Sequence, residues 1–441
     1  MTITPNSVDP WQKVRQQFDF SPYPSVSLDR SPKQELEKLY VHNLSTAFYL
    51  RDKTVVSTKG KVILDAGCGS GYKALTLAEA NPGARIVGID ISEQSINLAQ
   101  QRLKYHGFDN FEFHVLNIEK LSKLEQKFDY INCDETLYLL PDTIVGLKAL
   151  KNALKPEGIL RVNFHSSLQR IHYFRSQAVT QLMGLMDNDN QNEAITRVRD
   201  LMANLKDSVH LKKKVWHENH EIRNQSLLVN HLFREDKGLN ILDFFSALES
   251  ANLKFIRMVD WQTWNLMELF NKSEDLPNWL SQVLANASTA EKLHLYELFE
   301  PHHRLLDLWC GHPQQKQDFS ILANWQAQEW ERGIIYLHPQ LKTQAAKAKI
   351  KACALTLQPL QLQEVLPLPG ECVQLDSLLA ACLLPLWHQP QPFTNLVKHW
   401  QQLRPLNPVT LTPSHPQDAF RIVQQMVQYL ESLGYLMVEL P

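Results

Sequence analysis

Val62-Ile63-Leu64-Asp65-Ala66-Gly67-Cys68-Gly69-Ser70-Gly71-Tyr72 decides the fold of this 441-residue chain. The apolar start reads as a strand, glycine then stands at every second position, and helical patterning begins directly after Gly71. Glycine tolerates backbone angles that other residues avoid and lets the main chain approach a ligand with no Cβ in the way. A helix opening there offers unpaired N–H donors and a partial positive charge, which suit a carboxylate or phosphate. Two other glycine loops fail on spacing. A dinucleotide fingerprint would need glycine at position 72, where Tyr72 stands, and Lys73 lacks the spacer and second glycine of a phosphate loop.

Outward from the loop, short apolar runs alternate with amphipathic helices. Strands are predicted at 62–66, 85–89, 111–116, 130–133 and 159–164. Ile96, Ala99 and Leu103 line one helix face, and Leu147, Leu150 and Leu154 repeat the spacing before Lys155-Pro156-Glu157-Gly158. This alternation predicts a parallel, doubly wound α/β sheet. The second strand ends at Asp90, 19 residues beyond Gly71, where a carboxylate can accept from both hydroxyls of a ribose. The third ends at Leu116-Asn117-Ile118. There the Asn117 amide oxygen can accept from an adenine amine while Ile91 and Ile118 cover the ring faces. The ligand expected is an adenosine derivative.

These motifs carry a resemblance. Asp65-Ala-Gly67-Cys-Gly69-Ser-Gly71, Gly88-Ile-Asp90, Phe128-Asp129 through Leu137-Tyr138-Leu-Leu140-Pro-Asp142, and Leu154-Lys-Pro-Glu-Gly158 resemble, in order, the motifs of class I S-adenosylmethionine-dependent methyltransferases. The resemblance implies a Rossmann-like sheet with S-adenosyl-L-methionine as cofactor. It places Asp65, Gly67, Gly69, Gly71, Asp90, Ile91, Asn117, Ile118 and Cys133 around that cofactor. A looser likeness joins Ser21-Pro-Tyr23-Pro24, the segment from Leu232 to Gly238 and the run from Leu378 to Leu386 to bacterial protein-lysine methyltransferases with a C-terminal regulatory domain. It differs at Ser25-Val26, where those proteins carry tryptophan, and at His388-Gln-Pro-Gln-Pro392, which replaces a glycine-bearing turn.

Composition divides the rest. Nine of 15 glycines precede residue 160, 14 of 23 prolines follow residue 300, and nine of ten tryptophans lie beyond residue 215. The expected organisation is an N-terminal cap (1–60), a cofactor-binding core (61–165), a helical insertion capping the substrate (166–238), completion of the sheet (239–265), a helical linker (266–315) and a smaller, mainly helical α/β domain for recognition or regulation (316–441). Helices are predicted at 241–252, 277–308, 393–402 and 416–433, and strands at 254–259 and 435–440. Net charge is −2, which advertises no nucleic-acid partner. The longest apolar run, Leu378 to Trp387, is too short to span a bilayer. Met1 to Trp11 lacks a secretory pattern, and six scattered cysteines suit reduced thiols, so a cytoplasmic protein is expected.

Methyl transfer is an in-line displacement in which orientation supplies most of the acceleration. Asp134, Glu135 and Tyr138, after the fourth strand, are the candidate catalytic residues: the acids to bind a cationic acceptor or take its proton, the tyrosine to line its channel. Tyr23 and His42 from the cap, with His165 and Arg170 after the fifth strand, are candidate substrate contacts. The expected acceptor is a protein lysine amine. A small molecule methylated at N, O or C and a non-catalytic S-adenosylmethionine sensor are the alternatives. No metal is expected, because His302, His303, Cys310 and His312 match no zinc spacing. The basic run from His210 to His220 reads as a solvated face, and Cys68 needs only to be small.

Overall fold

The computed structural model describes residues 15–441 except 16–17, 21, 188–189, 217–223, 234–235 and 370–371. His217 and His220 of the basic run, and Met1 to Trp11, lie outside the described residues.

Eight strands form one sheet: β1 (Val62–Ala66), β2 (Arg85–Asp90), β3 (Phe111–Val115), β4 (Phe128–Cys133), β5 (Leu154–Ser166), β6 (Gly238–Leu239), β7 (Lys254–Met258) and β8 (Leu305–Gly311). Their order is β3-β2-β1-β4-β5-β8-β7, with β6 on the end of β5. β1 to β5 run parallel, and β8 runs antiparallel to both β5 and β7. The winding reverses between β1 and β4, and a crevice opens beyond the carboxyl ends of strands at such a point. Ile63, Leu64, Ile131, Leu160 and Val162 are fully buried. Helices on both faces explain why these strands read as continuous apolar runs. Helix Glu93–Tyr105 buries Ile96, Ala99 and Leu103. Helix Thr143–Ala153 buries Leu147 and Leu150 and stops one residue before Leu154, which opens β5.

One stretch departs from expectation. The helix expected to reach residue 308 ends at Phe299, and Leu305-Leu306-Asp307-Leu308-Trp309-Cys310-Gly311 is a strand. The 266–315 linker therefore supplies a strand of the main sheet, between β5 and β7. Leu305 and Leu308 fall at a helical spacing, but both faces of β8 are covered, so apolar residues occupy consecutive positions and no strand alternation appears.

Between β5 and β6 stand helices Ile171–Leu182, Gln191–Asn204, His210–Val215 and Asn224–Asn230, with a small core of Leu185, Ile195, Val198 and Leu227. The C-terminal region builds a second, smaller unit. β9 (Ile334–Leu337) lies in an antiparallel sheet of order β12-β9-β13, with β12 (Gln391–Pro392) and β13 (Leu436–Glu439), beside a ribbon of β10 (Leu360–Gln361) and β11 (Gln374–Leu375). Helices Gln344–Thr356, Phe393–Leu403 and Pro416–Ser432 cover it around Trp330, Ile335, Phe393 and Val423. N-terminal helices Leu36–His42 and Leu44–Asp52 join the two units. Tyr40 sits in the C-terminal core and donates its hydroxyl to Gly434 O at 3.1 Å. Tyr49 donates to Glu431 at 2.7 Å, and Thr46 Oγ1 lies 2.9 Å from His338 Nε2. Among the described residues no helix is long and apolar enough to cross a membrane.

Candidate functional site

The glycine loop is tied down on two sides. Gly67 N and Cys68 N donate to Ile89 O at 2.8 and 2.9 Å, and Gly69 N donates to Asp90 Oδ2 at 2.9 Å. Ser70 N donates to Tyr23 O at 2.8 Å, and Ser70 Oγ to Pro24 O at 2.7 Å. Buried Arg102 completes the clamp, with Nε on Ser70 O and the two Nη on Ser27 O and Val26 O. The spacing predicted glycines bared toward a ligand; Gly67 and Gly69 do face the cavity, and the structure gives all three a packing reason as well. A Cβ on Gly67 would stand 2.2 Å from Thr136 Oγ1, one on Gly69 2.1 Å from Tyr23 O, and one on Gly71 2.5 Å from Ala99 Cα.

A cavity of about 420 Å³ lies over this loop at the switch point. At one end Asp90, Ile91, Asn117 and Ile118 line it with Leu116 and Phe18. Asp90 also accepts from Ser92 N at 2.9 Å, and burial raises its carboxyl above the usual range. Asn117 uses its side-chain oxygen to accept from Glu119 N at 2.9 Å. In the middle lies Asp65. Its Oδ1 accepts from Asn132 Nδ2 at 2.8 Å, while buried Oδ2 has no hydrogen-bond partner among the described residues. Burial pushes its carboxyl up to about 7. An ammonium donor suits that unpaired oxygen, so the residues present fit the amino-acid end of S-adenosylmethionine as well as its adenosine.

The other end is a charge network under aromatic rings. Glu135 accepts from Tyr23 OH at 3.0 Å and pairs with Arg304 Nη2, and its backbone N donates to Asn163 Oδ1 at 2.8 Å. Tyr138 stacks on His165 with ring centres 4.2 Å apart. Phe233, Val229 and Asn230 of the insertion close the wall. Arg170 is buried and binds Asp236 at 2.9 Å and Asn230 at 3.1 Å.

Three expected contacts do not line the cavity. Gly71 caps helix Tyr72–Ala80 against Ala99, and Cys133 is wholly buried in the sheet. His42, expected to close over the ligand, is buried with Nε2 2.7 Å from Arg161 Nη1. Asp134 lines the cavity but is a poor proton acceptor. Despite burial, Lys73 at 2.6 Å and Arg161 hold its carboxyl far below the usual range. Sequence reasoning missed Lys73, Arg161, Phe233 and Arg304, which line the cavity, and Arg102, Asn163 and Asp236, which brace it. Outside the site, His303 lies flat on Trp264 with ring centres 4.4 Å apart while Cys310 is inside β8, and Lys212 turns onto Leu205 O and Asp207.

The strand order, the glycine loop and the acid ending β2 are those of the Rossmann-like class I methyltransferase fold. Residues 57–245 match the family described as a methyltransferase domain. An uncharacterized protein from Synechococcus sp. is 27% identical over 263 residues, 58% of this chain and 62% of its own length. A ubiquinone biosynthesis O-methyltransferase from Coxiella burnetii is 33% identical over 140 residues, 32% of this chain and 56% of its own length. The chain thus spans less than two thirds of either relative. Among solved structures, PKMT2 from Rickettsia typhi in complex with AdoHcy aligns with a TM-score of 0.55 at 17% identity, covering 95% of this chain and 77% of that one, which shows a shared fold.

Proposed function

We propose that this chain transfers a methyl group from S-adenosylmethionine to an amine nitrogen, the side chain of a protein lysine. The observation that carries the cofactor half is the unpaired, buried Asp65 Oδ2 facing the same cavity as Asp90 and the glycine loop. When bound, the cofactor supplies a methyl carbon on a cationic sulfur, open to in-line attack. Asp65 would hold its ammonium and Asp90 its ribose hydroxyls, while Ile91 and Ile118 exclude water from the adenine faces. The acceptor half rests on the opposite end. Tyr23, Tyr138 and Phe233 offer rings to an aliphatic stem, and Glu135 offers a carboxylate to its cationic tip. Incubation with S-adenosylmethionine carrying a tritiated methyl group tests this. Label in precipitated protein supports it, and label only in small molecules overturns the lysine assignment. Tight binding with no labelled product in either fraction would make the chain a cofactor sensor.

Two expected outcomes concern the cofactor end. Because burial holds Asp65 at about 7, a large share of it is protonated near neutrality before an ammonium arrives. Binding the ammonium favours the ionised form, so affinity should rise as pH increases from about 6 to about 8, with up to one proton released. Calorimetry in buffers of different ionisation enthalpy measures that proton, and Asp65→Asn should abolish its release. Asp90→Ala should weaken binding by roughly 1.5–3 kcal/mol through lost charge-assisted hydrogen bonds. The same substitution also unpairs Gly69 N. Unchanged affinity would place the ribose elsewhere.

A further inference from the structure

Among the described residues, His165 is the one imidazole that lines the cavity. Its Nδ1 lies 2.6 Å from Asp236 Oδ1, and its Nε2 lies 3.1 Å from Arg304 Nη1. A guanidinium only donates, so Nε2 must accept, and the ring proton sits on Nδ1 toward Asp236. Asp236 is itself immobilised: its side chain is fully buried, and Oδ2 accepts from Arg170 Nη2 and Gln177 Nε2, each at 2.9 Å. A buried carboxylate thus fixes the tautomer and aims a lone pair into the cavity, the arrangement that makes imidazole a proton acceptor. Arg304 meanwhile bridges that lone pair and Glu135, although its side chain is 46% exposed at the mouth. Its guanidinium occupies a place where two acceptors converge on one cationic donor group. An alkylammonium meets both with two of its three N–H bonds.

We infer that His165, oriented by Asp236, is the general base of methyl transfer, and that the acceptor amine seats where Arg304 now bridges His165 and Glu135. This rests on the amine-transfer reading above. Nε2 takes one proton from the ammonium, forming Nε2–H as that N–H bond breaks, and Asp236 stabilises the imidazolium. The freed nitrogen lone pair then forms the N–C bond to the methyl carbon of S-adenosylmethionine while the C–S bond breaks, its electron pair remaining on sulfur. The imidazolium proton returns to water. Asp236 is a positioning residue, as Arg170 and Gln177 are through it. The charged and titratable groups facing the imidazole are Asp236, Arg170, Arg304 and the Tyr138 ring stacked on it. Burial, then the two arginines, keep His165 below the usual histidine range, so it is a free base at neutral pH and is lost only on acidification.

The test uses the full-length protein, tritiated S-adenosylmethionine, and poly-L-lysine with the protein fraction of a bacterial lysate as acceptors. Calorimetry of cofactor binding runs in parallel. His165→Gln should bind the cofactor as wild type does yet lower kcat at neutral pH about 100-fold or more. Its residual rate should climb with pH as solvent deprotonates the amine, and the acid limb of the wild-type profile should vanish. Asp236→Asn should lower kcat about tenfold. Arg304→Ala should lower the acceptor KM by freeing the seat, and a raised KM would overturn that part. A His165→Gln enzyme within about threefold of wild type, with the same pH profile, overturns the assignment of the base. Cofactor binding without label from wild type overturns the transfer reading itself, which separates the two failures.

Discussion

Gly69→Val eliminates measurable S-adenosylmethionine binding and lowers the melting temperature by several degrees. Two penalties coincide at this residue. Its φ is +50°, a conformation that costs an L-residue roughly 1–2 kcal/mol and a β-branched one more. The new Cβ also falls 2.1 Å from Tyr23 O, a backbone atom that cannot swing aside. Relief requires the 23–27 segment to lift, and that breaks the Ser70 bonds to Tyr23 and Pro24 and the Arg102 bonds to Val26 and Ser27. The collision is with the cap and only through it with the ligand, so binding and stability fall together. Gly60→Ala is the control. Its φ is +77°, but nothing lies within 4 Å of the new Cβ, so it should cost only the backbone penalty of about 1 kcal/mol and leave affinity intact. Calorimetry and a thermal melt on both variants check this, and normal cofactor affinity in Gly69→Val contradicts it.

The second large effect is expected at Arg161→Met, a loss of about 3–5 kcal/mol of folding stability. The Arg161 guanidinium is nearly inaccessible and pairs with Asp307 through both Nε and Nη2, while Nη1 lies 3.0 Å from Asn132 Oδ1 and 2.7 Å from His42 Nε2. Without it, Asp307 is a buried carboxylate with no ion-pair partner among the described residues. Burial already raises Asp307 to about 6 against the opposing pull of Arg161. A carboxyl raised in the folded state binds more protons there than in the unfolded chain, so stability falls as pH climbs from about 4 to about 6. Losing the arginine raises it further and widens that window upward. The deficit should therefore be smaller at about pH 5 than at about pH 7.5 in urea titrations. The site suffers as well. Arg161 holds the Asn132 oxygen, which turns the amide NH2 toward Asp65, so its loss also frees the carboxylate that would hold the cofactor's ammonium.

How much of this could be read from the chain depended on range. β1, β2 and the loop were legible because their signal is local: an apolar run, a glycine spacing and an acid at a fixed distance along the chain. β8 was not, because a strand buried on both faces shows neither period-two nor reliable helical patterning. Asp65 and Asp90 were likewise found by position in a motif. Arg161 and Arg304 were not, since their meaning lies in partners 146 and 169 residues away. His42 misled for the same reason. Its place in the cap suggested a lid, whereas it is buried against its partner Arg161, 119 residues on. Isolated polar residues in apolar stretches declare a network without naming its members.

Helix Leu36–His42 touches three neighbourhoods within one and a half turns. Lys38 lines the ligand cavity, Tyr40 is embedded in the C-terminal core, and His42 rests on Arg161. The far lobe and the cofactor's cradle consequently share an axle. A partner that grips the C-terminal surface and rolls this short rod would be felt at the Asp65 carboxylate by way of Arg161 and Asn132, with no messenger crossing solvent.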